Sequence, residues 1–349
     1  MKNCPHRKTP LISAIHRRDF LKTLAVSGAA LGVNGMTAQA EQSDALGKQL
    51  PLRPLGNTGE SITMIGLGGY HIGLAEEKVA AATIESALEE GVRFFDTAEE
   101  YQKGESEKRY GRYLIPKYRD DIFLMTKSYS LNGRTTRKHL EESLRRLGTE
   151  QLDLWQIHSI QSIQDVDNRI RNGVIEELVK AKEEGKVRHI GFTGHSSPPA
   201  HKYLMEKYGD LFACSQMAIN PIDVTAKESF VADVLPELQR HNSGVLAMKS
   251  LADGRFFDRK MWRNTVVWES DDPVVPNYLS ITDCTNFALS LPVSTLIVGA
   301  DNPKYLREKT KIAREHKKLT ESDRTLLIDK VAAFAEAGKV EYYKAINKS

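Results

Sequence analysis

Short apolar runs alternate with longer amphipathic stretches along most of the chain, and this alternation constrains the fold more than any other feature. Eight runs rich in β-branched residues are predicted strands, at 62–67, 93–95, 122–126, 152–157, 189–192, 212–216, 245–248 and 295–298. Strands that alternate strictly with helices form a parallel sheet. Eight such units close into a barrel, whereas an open doubly wound sheet has about six strands. The sequence therefore predicts the α/β class, as a (β/α)8 TIM barrel.

The segments between these strands carry helix and turn signals. Amphipathic stretches predict helices at 78–90, 136–147, 170–184, 198–207 and 277–289, and Gly91, Gly148 and Gly185 stand where helix C-terminal caps belong. Near the start, 52–55 and Ile62 flank the turn sequence Gly56-Asn57-Thr58-Gly59, which predicts an N-terminal β-hairpin capping the barrel floor. No linker divides the chain beyond its leader, so residues 41–349 are predicted to form one barrel domain.

Residues 1–40 have the organisation of an export signal. A basic stretch with Arg17-Arg18-Asp19-Phe20-Leu21-Lys22 precedes a modestly apolar run at 24–33 and the small residues Ala38-Gln39-Ala40. A buried helix or a transmembrane span is the alternative, but this run is too short for a bilayer, which needs roughly 20 apolar residues. The paired arginines resemble a twin-arginine leader, which carries folded proteins across the bacterial inner membrane.

The leader predicts cleavage after Ala40, a periplasmic location and the twin-arginine translocase as a partner, with no stable membrane insertion. A protein that folds before export can take a soluble nucleotide out with it. An inefficient leader would instead leave the protein in the cytoplasm.

Composition excludes several classes of function. The chain is 40% hydrophobic and 27% charged, as globular proteins are. Its net charge of +3 comes from the leader, because the rest of the chain has two more acidic than basic side chains, so no nucleic-acid partner is expected. Of three cysteines, Cys4 lies in the leader and leaves only Cys214 and Cys284, which are too few for a disulfide framework. No metal site is predicted.

Four polar side chains stand out because they come at the ends of neighbouring predicted strands. Asp96 and Tyr101 follow the second strand, Lys127 the third and His158 the fourth. Each alone has a simpler interpretation: a solvated or capping Lys or Asp, a structural His, or a packing Tyr. In a barrel, however, strand ends meet at one rim, where catalytic groups lie.

Together these four groups suit carbonyl reduction. Hydride arrival at a carbonyl carbon leaves negative charge on oxygen, which a phenol can stabilise and protonate. Free tyrosine, with a pKa of about 10, is too weak an acid. We expect the Lys127 ammonium to lower the pKa of Tyr101, Asp96 to keep that lysine charged and fixed, and His158 to orient the substrate oxygen.

The stretch GVRFFDTAEEYQKGESEKRYGRYL, at 91–114, resembles the signature of the aldo-keto reductase family, and FLMTKS and LDLWQIHS resemble its lysine and histidine strands. The resemblance extends from Leu55 to roughly Lys309. It implies that Asp96, Tyr101, Lys127 and His158 form the catalytic tetrad, with Tyr101 as proton donor. It also implies an NAD(P)H cofactor bound across the barrel rim without a Rossmann domain. Accordingly, Gly66-Leu67-Gly68-Gly69 lacks the Rossmann spacing and is followed by Tyr70-His71 rather than by a predicted helix.

The same resemblance implies a set of cofactor contacts. Thr193 and Gln216 would hold the nicotinamide carboxamide, although Gly194 replaces a family amide residue for which His195 is a candidate substitute. Met248 would contact the nicotinamide ring through its thioether. The remaining implied contacts are with the pyrophosphate, at Lys249, Ser250 and Leu251, and with the adenosine end, at Gly299, Asp301 and Glu308.

Asp301 occupies a position where NADP-preferring relatives often carry an arginine. A carboxylate repels the 2′-phosphate and accepts hydrogen bonds from a free ribose hydroxyl, so NAD is predicted to be tolerated or preferred.

The substrate is expected to be a small carbonyl compound or alcohol, sugar-like in one interpretation. Tyr70, His71 and Trp155 are the candidate substrate contacts, together with a loop at 252–276 in which Trp262 and Trp268 supply aromatic surface. Loop packing is the simpler interpretation of those two tryptophans. An alternative function is an exported small-molecule binding barrel without turnover.

Overall fold

The computed structural model describes residues 42–256, 259–262, 265–269, 278–336 and 340–344. The predicted leader and its cleavage site at Ala40 lie outside these residues. Within them, no helix is both long and apolar enough to cross a membrane.

Eight parallel strands close into a barrel, which confirms the predicted fold. The strands are β5 (Ile65–Gly68), β6 (Phe94–Asp96), β7 (Phe123–Ser128), β8 (Leu152–Ile157), β9 (Val187–Thr193), β10 (Cys214–Ala218), β11 (Gly244–Met248) and β14 (Thr295–Val298). They follow one another round the barrel in this order, and β14 pairs with β5 to close the ring.

Helices follow the strands as predicted. They are α1 (Gly69–Leu74), α2 (Glu77–Glu89), α3 (Glu105–Tyr113), α4 (Ile115–Tyr118), α5 (Gly133–Leu147), α6 (Ile163–Arg171), α7 (Val174–Glu183), α8 (Pro198–Tyr208), α9 (Leu235–Arg240), α10 (Ile281–Ser290), α11 (Pro303–Arg314) and α12 (Glu321–Glu336). The predicted caps Gly91, Gly148 and Gly185 all have positive φ angles at helix ends.

Two helix predictions are corrected by the structure. The single helix predicted at 170–184 belongs to two helices, α6 and α7, because Gly173 adopts a φ of 78° between them and interrupts the helical backbone. A short helix, α1, also begins directly after β5, where Tyr70 and His71 were expected to lie outside any helix.

The predicted hairpin closes the lower end of the barrel. It consists of β3 (Leu52–Pro54) and β4 (Ser61–Thr63), so the strand predicted at 62–67 is divided between β4 and β5. Leu55 and Ile62 pack into a buried cluster with residues from the barrel interior: Phe94, Phe123, Met125, Leu154, Cys214, Leu246 and Ile297. Burying each large apolar side chain contributes about 1.5–3 kcal/mol, so this floor anchors the strands whose opposite ends carry the site.

A further hairpin was not predicted. It pairs β1 (Gln42–Asp44) with β2 (Gly47–Gln49). The Arg93 guanidinium, buried just before β6, donates to both Asp44 carboxylate oxygens at 2.7 and 2.8 Å and attaches this hairpin to the barrel. A third hairpin, β12 (Arg259–Trp262) with β13 (Thr265–Glu269), occupies the loop predicted to contact substrate. The side chains of Trp262 and Trp268 lie outside the described part of that loop.

Candidate active site

The four predicted tetrad residues meet at the carboxyl end of the barrel strands. Asp96 ends β6, Lys127 lies within β7, one strand further round, and His158 follows β8. The strand containing Lys127 extends to Ser128, beyond its predicted end. Because side chains alternate along a strand, Lys127 points to the same interior side as Met125 of the floor cluster.

Lys127 is the centre of this arrangement. Its side chain is fully buried and forms an ion pair with Asp96. Its ammonium also donates to the carbonyl oxygen of Thr97 at 2.7 Å and to the Tyr101 hydroxyl at 3.1 Å. A buried charge is tolerable only with such partners. Burial raises the pKa of Asp96 and lowers that of Lys127, and the attraction between the two groups opposes both shifts.

The pKa of Tyr101 is raised overall, so the expected lowering by Lys127 does not prevail in this structure. Burial is the largest influence and raises the pKa of Tyr101 well above its usual value, and the nearby carboxylates of Asp96 and Glu100 add to that rise. The phenol is therefore protonated at neutral pH. This is the state that a proton donor requires.

His158 lies beside the phenol. Its ring packs edge-on against Tyr101 with 5.8 Å between the ring centroids. Its backbone is fixed on both sides, because its N–H donates to the Ser128 carbonyl at 2.9 Å and its carbonyl accepts from Arg169 at 3.2 Å. Burial, with the charge of Lys127, lowers the pKa of His158 well below its usual value, so the ring is neutral near pH 7.

The three candidate substrate residues lie in different surroundings. Tyr70 packs edge-on against Tyr101 with ring centroids 5.4 Å apart, so it borders the tetrad. His71 turns toward the predicted nucleotide contacts: its Nε2 is 3.7 Å from the Asp301 carboxylate, and a side chain on Gly299 would collide with its ring.

The prediction that Trp155 contacts substrate is wrong. Its neighbours Leu154 and Gln156 face the interior, where Leu154 joins the floor cluster and Gln156 contacts the Cys214 sulfur. Trp155 therefore points the other way, toward the helix layer, and it is fully buried there.

The residues predicted to hold the nicotinamide lie on three adjacent strands. Thr193 ends β9, Gln216 lies in β10 and Met248 ends β11. The Gln216 amide N–H group lies 3.8 Å from the Met248 sulfur. Its carbonyl oxygen is buried and accepts no hydrogen bond from any described residue, which costs about 1–3 kcal/mol unless a donor arrives. A carboxamide N–H₂ group is such a donor, so these residues fit the nicotinamide.

Steric crowding explains why residue 194 is a glycine. A Cβ there would lie 2.6 Å from the Ile160 carbonyl oxygen and 2.7 Å from His201 Nε2, so no amide side chain fits at this position. His195, its candidate substitute, packs its ring edge-on against Tyr343 at 5.4 Å. Burial and the Lys249 ammonium lower the pKa of His195 to about 3, so this ring is neutral.

The predicted pyrophosphate segment lies under the C-terminal part of the chain, a contact that sequence reasoning missed. Lys249 has a φ of 54°, and its ammonium lies 3.6 Å from Asp253 and 5.1 Å from the centre of the Tyr343 ring. Ser250 is buried, and Leu251 packs against a small apolar cluster beneath the same loop. Since Tyr343 is far from Lys249 in sequence, no local signal marks this contact.

The predicted adenosine end is open. Asp301 and Glu308 are both exposed. Directly after Glu308, the Lys309 ammonium folds back to donate to the Gly299 carbonyl, which fixes the loop after β14 to α11. Within the described residues, no group of His, Cys, Asp or Glu is arranged to hold a metal ion.

Comparison with known proteins now decides the family. The sequence profile of the Aldo/keto reductase family matches residues 64–318, which include the whole barrel. The chain belongs to the aldo/keto reductase family. It is accordingly an NAD(P)-dependent oxidoreductase acting on a carbonyl/alcohol pair, as its sequence predicts.

Relatives in this family are distant. The chain is 30% identical to L-galactose dehydrogenase of Arabidopsis thaliana over 220 residues, which cover 59% of this chain and 67% of that protein. Its fold resembles the holo form of an aldo-keto reductase from Bacillus halodurans, with a TM-score of 0.66, 22% identity and 81% and 96% of the two chains covered. An aldo-keto reductase from Klebsiella pneumoniae in complex with NADPH has a TM-score of 0.62, 21% identity and coverage of 80% and 95%.

Proposed function

We propose that this oxidoreductase interconverts a sugar-like aldehyde or ketone and its alcohol, with Tyr101 as the general acid. The observation that carries the proposal is the 3.1 Å contact between the Lys127 ammonium and the Tyr101 hydroxyl. Asp96 forms an ion pair with the same ammonium. When bound, the nicotinamide nucleotide supplies or accepts the hydride.

The protein's own residues handle the proton. In reduction, the Tyr101 hydroxyl gives its proton to the substrate oxygen as negative charge develops there. The phenolate that forms is stabilised by the Lys127 ammonium at 3.1 Å, and Asp96 keeps that ammonium in place. His158 holds the substrate oxygen against the phenol. In oxidation the same phenolate takes the proton from the alcohol.

The residues that would contact the cofactor are those that the family resemblance implies. The unpaired Gln216 oxygen would accept from the nicotinamide carboxamide, with Thr193 and Met248 on the neighbouring strand ends. Lys249, Ser250 and Leu251 would line the pyrophosphate. The loop carrying Gly299 and Asp301, with Glu308 on α11, would hold the adenosine end.

A sugar-like substrate is supported by two observations. The Tyr70 ring stands beside the Tyr101 phenol and offers the kind of aromatic wall on which sugar rings pack. One relative, matched over 67% of its own length, is named L-galactose dehydrogenase. Hydride transfer with NADH and NADPH, followed by absorbance across a panel of aldoses, ketoses and short aldehydes, tests the proposal. Turnover of sugars is expected, and no transfer to any compound of the panel would contradict it.

Asp301 is expected to favour NAD over NADP. Its exposed carboxylate, which lies 3.7 Å from Nε2 of His71, repels a 2′-phosphate. Replacing Asp301 with arginine should lower the Kd for NADPH by roughly ten- to a hundredfold, because hydrogen bonds to charged groups contribute about 1.5–3 kcal/mol. Fluorescence titration of both proteins with NADH and NADPH measures this. A clear NADPH preference in the unchanged protein would show that Asp301 does not select the nucleotide.

Export by the twin-arginine route is part of the proposal, supported by the leader at 1–40. Because free NAD(P)H is not expected outside the cytoplasm, the nucleotide would stay bound and be recycled by a second substrate. Cell fractionation should place the protein in the periplasm, and dialysed periplasmic protein should release nucleotide on denaturation. The matched control replaces Arg17 and Arg18 with lysine, which should retain the protein inside the cell. Equal fractionation of both proteins would contradict export by this route.

A further inference from the structure

Glu100, the residue before Tyr101, brings a second carboxylate to the site. Its Oε2 lies 3.4 Å from Nδ1 of the His158 ring. Nδ1 is buried and has no hydrogen-bond partner within the described residues, so Glu100 is the polar group placed to supply one. The Glu100 side chain is 49% exposed, whereas that of His158 is only 15% exposed. Glu100 therefore connects a buried ring nitrogen to solvent.

The protonation of that nitrogen matters for catalysis. A neutral imidazole has one N–H donor and one acceptor nitrogen, and the group bonded to one nitrogen fixes the role of the other. His158 is neutral near pH 7 because burial lowers its pKa. If its ring is to donate to a carbonyl oxygen through Nε2, Nδ1 must act as an acceptor.

We propose that Glu100 is a positioning residue that fixes the ring tautomer of His158 and so decides whether Nε2 donates to the substrate oxygen or accepts from it. The inference rests on the proposed function. A protonated Glu100 carboxyl donates to Nδ1, and Nε2 keeps its hydrogen and donates to a carbonyl, which favours reduction. When Glu100 releases its proton to water, the carboxylate accepts from Nδ1–H. The single ring proton is then on Nδ1, and Nε2 accepts from an alcohol, which favours oxidation.

The surrounding charges make this pair sensitive to pH. The positive charges of Lys127 from β7 and Arg169 from α6 disfavour a positive ring on His158. Burial raises the pKa of Glu100, and the Arg169 guanidinium opposes that rise. The donor form of Nε2 is therefore present below the pKa of Glu100 and is lost as the pH rises through it.

Long-range ¹H–¹⁵N NMR of the histidine rings, on the full chain without added nucleotide, reports the tautomer directly. As the pH rises through the pKa of Glu100, we expect His158 to pass from the Nε2–H to the Nδ1–H form. In Glu100→Gln the partner no longer titrates, so the His158 tautomer should stay the same across the pH range. In Glu100→Ala the ring has no carboxyl partner, so the pH dependence of the His158 tautomer should disappear. Glu105→Gln is the matched control, because Glu105 pairs only with Lys108 and Arg109 on its own helix among the described contacts.

Kinetics supply the second measurement. In the unchanged protein, kcat for reduction should fall by up to about tenfold per pH unit above the pKa of Glu100. This fall should be absent in Glu100→Gln, because its amide does not titrate. An identical His158 tautomer in the unchanged protein and in both Glu100 variants would overturn the inference. Absence of hydride transfer in the unchanged protein would instead overturn the proposed function, and the NMR comparison would still decide the role of Glu100.

Discussion

Replacing Tyr101 with phenylalanine is expected to lower kcat by roughly 10²- to 10⁴-fold, the usual contribution of a general acid. The change removes one oxygen, the atom that Lys127 contacts at 3.1 Å, and leaves the ring and its packing against Tyr70 and His158. Because the proton is transferred only in the transition state, kcat and kcat/KM should fall together. Steady-state kinetics with the best substrate of the panel measures both constants.

The control for this variant is Tyr113→Phe. Tyr113 lies on α3, and its hydroxyl donates to Glu77 on the exposed surface at 2.6 Å. Its loss should leave kcat unchanged, and nucleotide affinity should survive in both variants. If Tyr101→Phe keeps kcat within about tenfold of the unchanged protein, Tyr101 is not the general acid.

Replacing Asp96 with asparagine should lower both stability and turnover. The change leaves the fully buried Lys127 ammonium without its countercharge, which typically costs about 3–5 kcal/mol of unfolding free energy. Urea unfolding, followed by fluorescence and circular dichroism, measures the first effect. We also expect kcat to fall, because the ammonium is no longer held against Tyr101.

A double variant separates the two effects. Asp96→Asn combined with Lys127→Met removes both charges, so most of the lost stability should return, while turnover stays low because nothing stabilises the phenolate. If Asp96→Asn alone unfolds at the same urea concentration as the unchanged protein, the buried ion pair does not contribute to stability as argued.

Most of the barrel was predictable because alternation of strand and helix is a local property. The strands at 152–157 and 295–298 coincide with β8 and β14 residue for residue. The face on which Trp155 lies was not predictable, because strands of a closed parallel barrel are buried on both sides and lose the polar alternation that marks an exposed face.

The candidate site was likewise predictable only in part. The convergence of Asp96, Tyr101, Lys127 and His158 could be predicted because consecutive parallel strands end at one rim. The direction of the Tyr101 pKa shift could not, since it depends on how deeply the assembled barrel buries the phenol. The Tyr343 ring over Lys249 was equally inaccessible, because it joins distant parts of the chain through tertiary packing alone.

The pairing of β14 with β5 has a consequence for synthesis. A ring of strands whose first and last members are neighbours cannot close on the ribosome until residue 298 has emerged, and Tyr343 reaches Lys249 later still. The barrel rim that carries Tyr101 is therefore completed only after β14 has been synthesised. A chain that lacked β14 would leave β11 and β5 without their shared neighbour, and the ring of strands would stay open.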